Sequence, residues 1–391
     1  MRKYLFFLGI ALVGAAILVA CKPQAQATPV VEKVVETVTV EVPVTKEVQV
    51  EVEVTPPPPW EVAHQNIPVS LHETTAGMGY FYSAAQGGME TLTGIPYDEL
   101  SCKNCHIGTT EDGEVNCEKC HVGHHAPPQF KCLGCHSRQG FEIKAKKPDG
   151  TPGMTDVHYS KGMQCINCHT AEQLHGDGQE YNSLHETVNV ECTECHTPSQ
   201  DTKAHQVHME NMDCAACHVR NVINCVNCHF DTELEGGGKV ANTKYYNWRF
   251  LVKRKSDGKI TTGIIMSMVY GDQSFVAVAP FYGHTIGKPD PATICDECHQ
   301  NPNVAAYEET GQIVVQQWNP DEGKFTFASG VIPFPPDYQD AFVMDFVTRD
   351  GDTWNADKTN WTFLKTGVDV WQMLFAEPLD KMPVQMEMPT E

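Results

Sequence analysis

Two folded parts of opposite character are predicted: residues 60–236, built of short helices and loops with little regular structure, and residues 237–391, rich in β-strand. Three observations carry this expectation. Cys-x-x-Cys-His occurs eight times in 391 residues and takes 16 of the 17 cysteines. Seven of the copies fall within the 128 residues from Cys102 to His229, and the linkers between them are rich in Gly, Pro and polar residues, which read as turns and one-turn helices. After the Gly236-Gly237-Gly238 run the chain turns to β-branched and aromatic segments separated by turn residues, the signature of strands.

Taken from the N-terminus, Met1, Arg2 and Lys3 form a charged region, Tyr4 to Val19 an apolar one, and Leu18-Val19-Ala20-Cys21 looks like a bacterial lipobox. The expectation is a lipoprotein signal peptide over residues 1–20 and acylation of Cys21, the seventeenth cysteine. An uncleaved anchor fits less well, because 16 apolar residues fall short of the roughly 20 that span a bilayer. Lipidation, anchoring and ordinary cleavage all place the mature chain outside the cytoplasm, at the cell surface or the periplasmic face. Residues 21–59 then form a Val/Glu/Thr/Pro stalk. Val alternates with Glu or Thr at strand period, but there is no second apolar element to pack on, and Pro43 and Pro56 to Pro59 interrupt the run, so an extended tether is expected ahead of a pairing strand. Residues 22–59 at about 3.3 Å each reach roughly 125 Å.

The repeated motif has a chemical cause. Two thiols three residues apart each form a thioether to one vinyl group of a haem, and the following histidine lies under the iron as proximal ligand. The thioether cysteines are Cys102 and Cys105, Cys117 and Cys120, Cys132 and Cys135, Cys165 and Cys168, Cys192 and Cys195, Cys214 and Cys217, Cys225 and Cys228, and Cys295 and Cys298. The proximal histidines are His106, His121, His136, His169, His196, His218, His229 and His299. Chance placement of this composition yields roughly 0.03 copies. Zinc ribbons have no use for the appended histidine, and thioredoxin-like pairs are single and sit in a βαβ context. Eight covalently bound haem c groups follow. With seven haems on so short a stretch, residues 60–236 are expected to be a haem-dominated cytochrome domain, the haems themselves supplying much of its core. The segment Ser70 to Thr93 ahead of it is read as helical.

In the C-terminal part, strands are expected at 245–253, 260–270 and 274–282, joined by Ser256-Asp257-Gly258 and Gly271-Asp272 as a meander. The pattern continues at 313–318, 325–332, 341–348 and 361–365, with Asp350-Gly351 as a hairpin turn, and 368–377 reads as a terminal helix. The eighth motif, Cys295 to His299, ties this part to the redox groups.

Ten histidines lie outside the motifs: His64, His72, His124, His125, His158, His175, His185, His205, His208 and His284. Eight irons need eight distal ligands. His158, His185 and His208 stand six or seven residues before an attachment cysteine, and His125 and His284 also lie near motifs. The expected distal set is His72, His125, His158, His175, His185, His205, His208 and His284, with His64 and His124 as spares, although His124 and His125 are interchangeable at this level. An iron with two axial histidines has no position for a substrate and conducts; catalysis needs an open site. Met78, Met89, Met163 and Met212 are expected to be packing residues.

On these motifs the chain resembles the multihaem c-type cytochromes over residues 64–300, with close spacing similar to the cytochrome c3 and c7 style of haem packing. Its haem number is also similar to the octahaem hydroxylamine oxidoreductase and tetrathionate reductase families, which implies one catalytic haem among conducting ones. Cys-x-x-Cys-Lys, the helical tail and a ligand deficit are missing from this sequence, so only the haem-binding roles carry over and no catalytic residue is assigned. Without residues 1–20 the chain has 26 basic against 50 acidic residues, a formal −24, which disfavours nucleic acid and favours cationic or basic partners. The functional expectation is a membrane-anchored electron relay between a quinol-linked donor or other cytochromes and an extracellular acceptor or partner protein. The alternatives are a reductase or oxidoreductase of small nitrogen or sulfur compounds and a subunit of a conductive cytochrome filament.

Overall fold

Eleven strands organise the computed structural model, which describes residues 57–101, 114–123, 125–144, 156–235, 240–349 and 360–386. They are β1 (Val222–His229), β2 (Val240–Arg254), β3 (Ile260–Tyr270), β4 (Gln273–Pro280), β5 (Ile313–Asn319), β6 (Lys324–Phe327), β7 (Gly330–Pro333), β8 (Phe342–Arg349), β9 (Trp361–Thr366), β10 (Val370–Met373) and β11 (Ala376–Glu377). The signal peptide, the lipobox, the stalk up to residue 56, the first motif with Cys102, Cys105 and His106, His124, the triple-glycine run and the Asp350-Gly351 turn lie outside the described residues. The chain divides into Met1–Pro58 and Pro59–Glu391.

The predicted hairpin of β2 and β3 forms as expected, with Phe250–Lys253 opposite Ile260–Gly263, closed by Gly258 at φ 74°, a conformation that glycine reaches without a Cβ clash. Beyond Phe250 the two strands part, and β1 enters between them, antiparallel to β2 and parallel to β3. The larger sheet runs β10-β4-β3-β1-β2-β11, with β7 also pairing β2, and a smaller one runs β6-β5-β8-β9. Both mix parallel and antiparallel pairs. Their facing side chains make one core: Trp248, Phe250, Val252, Ile265 and Val278 from the larger sheet meet Ile313, Val315, Phe342, Met344 and Phe346 from the smaller. Truncating a fully buried ring such as Phe250 to alanine costs about 3–5 kcal/mol, so this core holds the fold by ordinary side-chain burial.

The expected haem-dominated domain of low regular structure is therefore corrected. Among the described residues the helices are short, the first sheet strand runs from Val222 through the seventh motif, and two mixed sheets with a side-chain core organise the chain. The physical reason is local. Val222, Ile223 and Val226 are β-branched residues placed around Cys225 and Cys228, and seven of the eight residues of β1 are buried, as a central strand covered on both faces requires. Residues 368–377 form β10 and β11 in place of a helix: Val370 to Met373 pair in parallel with Phe275 to Val278, and Val370 and Trp371 are β-formers. The strand expected over 325–332 breaks at Ala328 and Ser329, and the chain resumes as β7 at Gly330, φ 77°. The region read as helical before the first motif contains helices at Ala76–Tyr82 and Glu90–Thr93; Tyr82, Met89 and Leu100 pack from there against Phe230, Met268 and Phe275. Among the described residues no helix is long and apolar enough to cross a membrane.

Candidate haem-ligating centres

Six of the seven described motifs share one backbone form. Each lies in a short helix, at Cys117–Lys119, Gln129–Cys135, Cys165–Asn167, Cys192–Glu194, Cys214–His218 and Asp296–His299. In five of them the histidine N–H donates to the carbonyl of the first cysteine, at 2.8 Å for His121 and His299 and 2.9 Å for His136, His169 and His196. This turn brings both thiols and the imidazole of one motif to the same side, the arrangement that double thioether attachment with axial ligation requires.

Each of these six imidazoles faces a second histidine from outside the motifs. The ring centres are 6.0 Å apart for His121 and His175, 6.2 Å for His136 and His72, 6.3 Å for His169 and His284, 5.8 Å for His196 and His158, 6.2 Å for His218 and His205, and 6.1 Å for His299 and His208. A metal–imidazole bond of about 2.0 Å on each side, with each ring centre about 1 Å behind its nitrogen, sets two axial rings about 6 Å apart. The six pairs fit an iron between them. Among the described residues no group of three or more His, Cys, Asp or Glu could hold a bare ion, so these donors are arranged in opposed twos.

Tautomer control supports the same reading. A carbonyl only accepts, so a ring nitrogen bonded to one carries the proton and leaves the other lone pair for a metal. Nδ1 donates to the carbonyl of Leu174 from His72 at 3.1 Å, of His125 from His121 at 2.7 Å, of Ser199 from His205 at 3.0 Å, of Gly287 from His218 at 3.3 Å and of Val384 from His299 at 2.8 Å. In all five the free lone pair is on Nε2. Burial pushes the imidazoles of His72, His136, His169, His175, His208 and His218 below their ordinary value, keeping them neutral. His158 moves the other way, raised by its hydrogen bond to Asp156.

Apolar side chains beside these motifs face outward. Phe130 is 67 % exposed next to Cys132, Val207 58 % next to His208, and Val122 53 % next to His121.

The seventh motif departs from the rest. Cys225 to His229 lies in extended strand, with Asn227 at φ 52°. His229 is 5 % exposed, and its Nε2 is taken up within the fold, 3.2 Å from the Val347 carbonyl and 3.3 Å from Asn227 Nδ2. Asn227 locks the same place, donating to the Val347 carbonyl at 2.8 Å and accepting from its N–H at 3.0 Å. The ring opposite His229 is Trp361, 5.1 Å away. In this arrangement the motif does not fit axial ligation by two histidines.

Two expected distal ligands, His185 and His125, stand opposite no motif histidine among the described residues, which leave out the first motif. His185 packs against Phe375, with ring centres 5.1 Å apart, and burial lowers its pKa to about 4. His125 is exposed and serves His121 through its carbonyl. His64, a spare, pairs with Glu114 at 3.1 Å on the surface.

Three supporting carboxylates went unassigned at the sequence level. Asp156 caps the helix Val157–Ser160, accepting from the N–H groups of His158 and Tyr159 at 2.8 and 3.0 Å, and lies 3.5 Å from His158 Nδ1. An aspartate just before a helical turn is a visible capping signal. Glu142, fully buried, accepts from the N–H groups of His284 at 2.8 Å and Ile223 at 3.2 Å; both contacts span more than 80 residues and leave no local trace. Glu297, inside the eighth motif, joins two buried guanidinium groups, Arg220 at 2.5 Å and Arg249. Comparison with family models, with curated proteins and with solved structures finds no match for this chain.

Proposed function

We propose that the chain is a multihaem c-type cytochrome, carrying haem c on its eight motifs, that relays electrons outside the cytoplasm from a quinol-linked donor or another cytochrome to an extracellular acceptor or partner protein. The observation that carries this reading is the set of six opposed histidine pairs. When bound, haem c supplies one-electron redox chemistry at an iron held by the protein's axial ligands.

The chain's own groups do the rest. The paired thiols would hold the macrocycle covalently. His121, His136, His169, His196, His218 and His299 would each ligate its iron from one side, and His175, His72, His284, His158, His205 and His208 from the other. With two histidines at each of those six sites there would be no place for a substrate, which favours conduction over catalysis. The carbonyls of Leu174, His125, Ser199, Gly287 and Val384 hold the Nδ1 protons, so the rings neither turn nor lose their basic Nε2.

A turnover assay with nitrite, tetrathionate and sulfite under a reduced dye, and hydroxylamine under an oxidised one, checks this alongside redox titration. Potentials spread over a broad range without turnover are expected. Sustained, cyanide-sensitive turnover of any one compound would replace the relay with an oxidoreductase. That second reading is favoured by one observation: among the described residues no histidine stands opposite His229, whose ring neighbour is Trp361.

Anchoring rests on Leu18 to Cys21 and the stalk. Wild-type protein is expected in the detergent phase on phase partition, and Cys21→Ser is expected to release it or to leave it unprocessed. A variant processed and partitioned like wild type removes the lipid anchor from the account.

A further inference from the structure

We propose that six of the attachment sites form one row in the order second, third, fourth, fifth, sixth, eighth, so that the sixth and eighth are direct neighbours and the seventh is not a link between them. The proposal rests on the haem-binding reading above and adds the spatial order, which sequence numbering alone would run straight through the seventh.

Each joint has its own contacts. Between the second and third sites, Lys131, just before Cys132, donates to the carbonyl of Glu118 inside the second motif at 2.6 Å. The distal His72 of the third site is bonded to Leu174, the residue before the distal His175 of the second. Between the third and fourth, the Leu174 carbonyl that holds the distal His72 of the third site at 3.1 Å lies in the helix Ala171–His175, directly after His169 of the fourth motif.

The fourth and fifth sites meet through their distal histidines. Val157 N–H donates to the Ile286 carbonyl at 2.9 Å and Ile286 N–H to Asp156 at 3.1 Å, which fixes the segments carrying His158 and His284 side by side. Cys168 and Cys195 also interact. Between the fifth and sixth, the distal His205 of the sixth site donates through Nδ1 to the carbonyl of Ser199, three residues after His196 of the fifth motif, at 3.0 Å. At the last joint Arg220 bridges the motifs directly, donating to the Cys217 carbonyl at 2.9 Å and to Glu297 at 2.5 Å, and Cys217 interacts with Cys298.

The seventh motif falls between the sixth and eighth in sequence, but its histidine is turned into the sheets, toward Asn227, Val347 and Trp361. The eighth site ends the row where His299 meets the C-terminal segment at Val384 and Met386.

The order predicts which sites feel one another. A methionine ligand raises the potential of its iron, so that site fills with an electron earlier in a titration and the added charge makes its neighbours harder to reduce. In the full-length holoprotein, with individual haem signals followed by NMR through a redox titration, His158→Met at the fifth site is expected to lower the apparent potentials of the fourth and sixth. His208→Met at the eighth is expected to lower that of the sixth and to leave those of the second to fifth unchanged. Shifts at other members of the six, or an unmoved sixth site in His208→Met, overturn the order. If either variant fails to mature, iron positions in a structure of the wild-type holoprotein decide: adjacent sixth and eighth irons support the row, and a seventh iron between them refutes it. A protein without covalent haem on these peptides refutes the haem reading itself, a distinct outcome from haems present in another order.

Discussion

Replacing His208 by alanine is expected to turn one low-spin ferric haem into a high-spin one and to raise carbon monoxide binding by the reduced protein by one equivalent. His208 closes the helix Lys203–His208, with its ring centre 6.1 Å from that of His299 and the planes 21° apart. On the proximal side His299 stays held through Nδ1 by Val384 at 2.8 Å, so the substitution removes one axial ligand and leaves the other. The neighbours Val207 and Met209 are 58 % and 39 % exposed, so access for a small ligand is not blocked by packing, and little stability is lost with a half-exposed ring. Unchanged spin state and unchanged carbon monoxide uptake in the variant would remove His208 from the ligand set.

Glu297→Ala is expected to destabilise the folded chain by about 3–5 kcal/mol, the cost of breaking a buried ion pair by deleting one partner. The side chains of Arg220 and Arg249 are 9 % and 6 % exposed, and Glu297 is the carboxylate they share. Without it, two guanidinium groups stay buried and uncompensated. For the carboxyl itself, burial pushes its pKa up, but the hydrogen bond from Arg220 and the charge of Arg249 outweigh that, and the net shift is downward. A carboxylate with a depressed folded-state pKa stabilises the fold above its unfolded value, and that stability is lost as pH falls through the folded value. The wild type is therefore expected to lose denaturant resistance on acidification across and below the ordinary carboxylate range, and the variant to lack that part of the dependence. A shift in the unfolding midpoint worth less than about 1 kcal/mol, the range of a surface pair, would contradict the buried-bridge description.

Local chemistry was legible in the sequence wherever a single turn of chain carries it. The Cys-x-x-Cys-His spacing is such a case, and the six short helices with their aligned imidazoles are its direct structural expression. Distal histidines were legible as a supply: His72, His158, His175, His205, His208 and His284 each stand opposite a motif histidine. Their partners were not legible, because the pairings are set by tertiary contacts such as Glu142 to His284 and Asp156 to Ile286, which join residues 142 and 130 positions apart. His185 and His125 also lie near motifs in sequence; among the described residues one packs on Phe375 and the other is exposed, and neither faces a motif histidine.

The fold was misread where one signal overrode another. Cys225 to His229 carries the attachment pattern and also lies in a β-branched run, Val222-Ile223 and Val226, flanked by the long strands that pair with it. The strand won because β2 and β3 offer hydrogen bonds and an apolar interior on both sides. Val368 to Glu377 was short enough for either period, and the open edge of β4 settled it as strand.

The central claim, that opposed histidines close both axial positions at six haems, is tested most directly by low-temperature EPR of the fully oxidised, haem-loaded protein with spin quantitation against total haem. The account predicts low-spin ferric signals from at least six haems per chain. Low-spin intensity from fewer than six, with the balance high-spin, would contradict it.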